Sequence, residues 1–118
     1  MAYEVRLQST DPGRPNEALL QQILDRQSEL SEFLKEDDST VKGAEVEPPA
    51  AFPTGLETFV ILVAVSFVTG IATGIAKGAG GEIGNAIGKE AGKRIGARIR
   101  QWIKREFPDV VIEDVSER

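Results

Sequence analysis

From Thr58 to Ala76 the chain runs TFVILVAVSFVTGIATGIA, nineteen residues without one charged side chain. At 1.5 Å rise per residue, a helix of this length covers roughly the 30 Å hydrocarbon core of a bilayer. A chain of 118 residues supplies one domain with a modest core. Such a body hides only part of the circumference of so apolar a helix. Each exposed Val, Ile, Leu or Phe forgoes about 1.5–3 kcal/mol, against a typical domain stability of about 5–15 kcal/mol. The run is therefore expected to be a membrane-length helix that meets lipid or other subunits. Its membrane-inserting residues would be Phe59, Val60, Ile61, Leu62, Val63, Val65, Phe67, Val68, Ile71 and Ile75. The alternatives are a partner interface and a fully covered core helix.

Glycines at Gly70, Gly74 and Gly78, then at Gly80, Gly84, Gly88, Gly92 and Gly96, recur every fourth residue. Ile83, Ile87, Ala91, Ile95, Ile99 and Ile103 form a second column in register. Spacing of four makes one ridge along a helix. A helix-interior glycine costs about 1 kcal/mol relative to Ala, so a long column needs an offsetting contact. The expected contact is close helix–helix approach, a glycine zipper made by Gly70, Gly74, Gly80, Gly84, Gly88, Gly92 and Gly96. A Gly-rich linker would lack the parallel aliphatic column. Two nucleotide motifs fail here. Gly78-x-Gly80 has Ile83 where a dinucleotide fingerprint needs glycine, and Gly84 to Glu90 is one residue short of a P-loop and has Glu90 in place of Ser/Thr.

Charge is distributed in blocks. Residues 1–57 carry five basic against twelve acidic groups, 58–76 none, 77–107 eight against three, and 108–118 one against four. Lys89, Lys93, Arg94, Arg98, Lys104 and Arg105, with Trp102 among them, have the composition of an interfacial basic helix. The same cations also suit a solvated helix face. The positive-inside rule would put this part in the cytoplasm, giving a membrane-associated protein; a cytoplasmic soluble protein is the alternative. Nucleic-acid binding is disfavoured by the acidic remainder.

The rest reads as a small α+β unit. Tyr3, Val5 and Leu7 alternate with Glu4, Arg6 and Gln8, which is strand period rather than a signal peptide. Asn16 is the expected N-cap of one amphipathic helix carrying Leu19, Leu20, Ile23, Leu24, Leu30, Phe33 and Leu34. Val41 to Glu47 suits a second short strand, Pro48, Pro49 and Pro53 a stiff connection, and Val110, Val111, Ile112 and Val115 a last strand after Pro108. The expected architecture is α+β: a β-α-β…β unit of about three short strands with a long apolar, glycine-zipper helical hairpin or kinked helix. Its parts are 1–50, a Pro-rich connection 51–57, the apolar helix 58–76, the basic helix 77–107 and the strand 108–118.

With no Cys and no His, the chain has no thiol nucleophile, no disulfide and no His-based metal site or triad. Its acids lie at helix ends and on polar faces, so no catalytic residue, cofactor or metal is expected and the chain reads as non-enzymatic. Val5-Arg6-Leu7 before an acidic helix, Ala44-Glu45-Val46-Glu47-Pro48-Pro49 leading through Pro53-Thr54-Gly55, and Ile99-Arg100-Gln101-Trp102-Ile103-Lys104-Arg105 before Pro108-Asp109-Val110-Val111-Ile112 follow one another in a familiar order. In this the chain resembles the effector-associated constant component families of bacterial conflict systems. The resemblance implies a small protein that accompanies variable effectors such as proteases, and it carries no catalytic residues over. The expected function is anchoring and oligomerisation in a defence-type assembly, with a lipid bilayer, further copies of the chain and a protein effector as partners. The rivals are a soluble adaptor whose apolar helix is covered by its sheet and a partner or homodimer mate, and a small pore-forming toxin.

Overall fold

The computed structural model describes residues 1–68 and 92–118. In chain order the elements are β1 (Ala2–Ser9), α1 (Asn16–Asp25), α2 (Gln27–Asp37), β2 (Val41–Glu47), β3 (Phe59–Phe67), α3 (residues 92–106) and β4 (Val110–Glu117). The strands form one sheet in the order β2-β3-β1-β4, antiparallel throughout. An α+β chain was expected, with three strands; the described residues hold four. Strand, helix, strand, strand, helix, strand in this spatial order is the split β-α-β arrangement of ferredoxin-like sandwiches, with the first helix divided in two.

The decisive departure from expectation is β3. Phe59 to Phe67 form an inner strand, paired on one side with β1 (Val5 opposite Ile61) and on the other with β2 (Val46 opposite Val63). Phe59, Ile61, Val63 and Val65 point into the core, while Val60, Leu62 and Ala64 stand half-buried on the opposite face. β-Branched and aromatic side chains fit a pleated surface better than a helix. An inner strand also reads as an unbroken apolar run, because neither of its faces is fully wet. These residues therefore form a strand, not the helix expected of them. Val68 donates its amide to Thr40 O at 2.8 Å. Ile71 and Ile75 lie outside the described residues, as do Gly70, Gly74, Gly80, Gly84, Gly88 and Lys89.

The core lies between one sheet face and the helices. Tyr3, Val5 and Leu7 of β1 meet Leu19, Leu20 and Ile23 of α1, Leu30 and Leu34 of α2, and Ile95, Ile99, Trp102 and Ile103 of α3 in a single cluster. The single long helix expected after Asn16 bends at Arg26 (φ −108°, ψ 12°), so that α2 turns to cover β2. Pro15 is the N-cap of α1, and the buried Asn16 side chain is used elsewhere. Its Oδ1 accepts the Ser9 amide at 2.8 Å and its Nδ2 donates to Glu57 O, which ties β1 to the Pro-rich connection.

Both edges of the sheet are protected. On β2 the outward amides of Ala44 and Val46 donate to Ser31 Oγ (3.1 Å) and Gln27 Oε1 (3.0 Å) of α2. On β4 a bulge opposite Arg6 and Leu7 interrupts the register, and Glu113, Asp114 and Glu117 charge the strand. Bulges and charges of this kind disfavour edge-to-edge pairing.

Candidate interaction surfaces

Three surfaces can do chemistry with a partner. The first is the end of the sheet where β3 finishes and α3 begins. Tyr3 hydroxyl donates to Gly92 O at 2.8 Å, Val65 donates its amide to Met1 O at 2.7 Å, and Glu117 lies beside Gly92. The β3 and α3 ends that flank residues 69–91 thus lie at the same end of the sheet. Burial, reinforced by the Glu117 carboxylate, pushes the Tyr3 hydroxyl well above its usual pKa, so it remains a donor. The last two glycines of the column are used inside this chain. A Cβ on Gly92 would lie 2.6 Å from Glu117 Oε2, and one on Gly96 would meet Tyr3 Cε1 at 3.5 Å and Val115 Cγ1 at 3.7 Å. Helix packing was expected of both; what they pack against is the chain's own sheet.

The second surface is the outer side of α3. Lys93, Arg94, Arg100, Lys104 and Arg105 are exposed there. Arg98, which is half-exposed, pairs with Asp37 of α2, and Arg105 stacks 4.8 Å over the Phe33 ring. Lys104 Nζ donates to Val110 O at 3.1 Å. Trp102, expected as an interfacial anchor, is fully buried and meets Phe107 edge-on at 5.9 Å. Ile95, Ile99, Trp102 and Ile103 recur at three and four, so the indole falls on the core side of the helix and the cations on the other. The Arg14 and Arg26 guanidiniums lie 5.7 and 5.5 Å over Phe107, and Arg14 also pairs with Asp109. That hydrogen bond is the main cause of the lowered Asp109 pKa.

No known family, curated protein or solved structure matches the chain. The surfaces therefore have to be read from their own chemistry. No helix among the described residues is long and apolar enough to cross a membrane, and those residues contain no cluster of three or more acidic groups placed to hold a metal ion.

The third surface is the open face of the sheet, opposite the helices, which sequence reasoning missed. It carries Val60, Leu62 and Ala64 of β3, with Glu45 and Glu47 of β2 on one side and Glu4 and Arg6 of β1 on the other. The alternation of β1 was a visible signal for its half of this face. The β3 half was hidden by the uniform apolarity of the 58–76 run.

Proposed function

We propose that this protein is a non-enzymatic adaptor that self-associates through residues 69–91 and holds a protein effector on its α+β body, in a bacterial defence-type assembly. The observation that carries the reading is the placement of the two ends of that segment. β3 finishes and α3 begins at the same end of the sheet, so the two attachment points of that segment lie together. Glycine stands within it at 70, 74 and 78 and again at 80, 84 and 88, two runs in the four-residue spacing that suits close backbone approach between copies. With Phe59 to Phe67 committed to the sheet, the uncharged run that remains is 68–76, about half the length a helical span requires. This favours an adaptor over a spanning anchor. The absence of Cys and His supports a binding rather than a catalytic role.

A membrane-associated version of the same role draws support from Lys93 and Arg94, exposed at the start of α3 beside the end of the segment. Anionic headgroups attract cations placed there. Light scattering on the purified chain, with and without Gly84→Leu and Gly88→Leu, tests self-association. The wild type is expected to run as an oligomer and the double variant as a folded monomer by circular dichroism. A monomeric wild type in buffer that neither assembles nor floats with anionic vesicles overturns both versions.

A further inference from the structure

Among the described residues the helices all pack on one face of the sheet, and no element covers the other. Along β3 that open face presents Val60, Leu62 and Ala64, each half-buried. The strand register sets carboxylates on both sides of this line. Glu47 and Glu4 flank Leu62, Glu45 lies beside Ala64, and Asp114 is opposite Arg6. Arg6 is itself held near Glu4, at 3.9 Å. The result is an aliphatic strip with an acidic rim. From Val60 to Ala64 it measures about 13 Å, which matches about nine residues of α-helix.

We infer that this open face docks a basic amphipathic helix belonging to a protein partner. Aliphatic side chains at i, i+3 or i+4, and i+7 would lie along the Val60–Leu62–Ala64 strip, and flanking Lys or Arg would meet the carboxylates on β1 and β2. The same chemistry argues against other occupants. Two copies placed face to face would oppose acidic rim to acidic rim. The chain's own basic helix, α3, has its aliphatic side (Ile95, Ile99 and Ile103) buried in its own core. Nucleic acid and anionic lipid are repelled by the carboxylates, and β1 and β3 carry no aromatic side chain on this face for a base to stack on. The inference rests on the adaptor reading in one respect, that the body holds a partner.

The probe is a fluorescein-labelled synthetic peptide of about five helical turns, with Leu at i, i+3, i+4 and i+7 and Lys or Arg between. Anisotropy titration against the full chain at about 0.15 M salt measures affinity, and amide chemical shifts locate the site. The expected result is saturable binding, with shifts at Glu4, Glu45, Val60 and Leu62. Glu45→Lys with Glu47→Lys, and separately Leu62→Arg, are each expected to weaken it at least about tenfold. Glu29→Lys with Glu36→Lys, on the exposed side of α2, is expected to change it less than about twofold. A scrambled peptide of equal composition without the apolar stripe is expected to bind at least about tenfold more weakly. Equal losses from the α2 charge reversal, equal binding of the scrambled peptide, or shifts confined to α2 would each overturn the inference in favour of plain charge attraction. Light scattering on the same samples separates the two proposals. A chain that assembles but ignores the peptide sinks the docking face alone, and one that binds the peptide but never assembles sinks self-association alone.

Discussion

Gly96 shows how little a glycine's position in a column says about what it touches. Four-residue spacing marks one helix ridge, but the ridge can face another copy, a bilayer or the chain's own sheet. At Gly96 it faces Tyr3 and Val115, at distances a methyl group tolerates. Gly96→Ala is therefore expected to stabilise the protein by about 0.5–1 kcal/mol in thermal or urea melts, through helix propensity and a less disordered unfolded state. Gly96→Leu is expected to cost about 1–3 kcal/mol by overpacking against Tyr3. Loss of stability with Ala would mean that the helix already sits as close to the sheet as glycine allows. Asp109 supplies a second test at this scale. Its hydrogen bond to Arg14 lowers its pKa in the folded state, so its contribution is complete above the unfolded carboxylate value of about 3.9 and is lost as pH falls through the lowered folded value. The melting-temperature gap between wild type and Asp109→Asn should be widest near neutrality and close as the solution is acidified through that window. A gap that widens toward low pH would contradict this assignment.

At the scale of elements, β3 is the clearest lesson. The β1 alternation, the Val41–Glu47 strand, the helix ending before Pro108 and the last strand were all legible, because polar residues marked their exposed faces or Pro marked their ends. β3 carried no such mark. Val60, Leu62 and Ala64 are apolar on the open face, so period two disappeared into a continuous greasy run, and length alone then suggested a bilayer span. The β-branched richness of Val60 to Val65 was the signal that competed with length. The bend at Arg26 was also invisible, since the apolar spacing continues through it; it arises from α2 covering a different strand from α1. Because Phe59–Phe67 is a strand, alanine substitution along it must alternate in effect. Ile61→Ala is expected to cost about 2–5 kcal/mol in a urea melt, and Val60→Ala and Leu62→Ala, on the half-buried face, less than about 1 kcal/mol each. A three-to-four residue rhythm would restore the helix.

Over the whole molecule, the question is whether residues 69–91 belong to the body or are mounted on it. Among the described residues the sandwich has its sheet edges protected, its helices seated on one face and its core cluster drawn from all four strands and all three helices. Both flanking ends lie at one end of the sheet, where adjacent strands stand about 4.8 Å apart and a packed layer about 10 Å away. A linker of about eight Gly and Ser residues reaches roughly 25 Å when extended and so can join Val68 to Gly92 without strain. Replacing 69–91 in this way is expected to leave a cooperative two-state melt and an unchanged far-ultraviolet spectrum, while the oligomer seen by light scattering falls to a monomer. Shortening the connection between β3 and α3 also reduces loop-closure entropy, which grows only slowly with length, so the melting point should hold or rise slightly. A molten or aggregated product would show instead that the segment completes the core. The adaptor reading, which needs a body able to hold a partner independently of how copies assemble, would then fail with it.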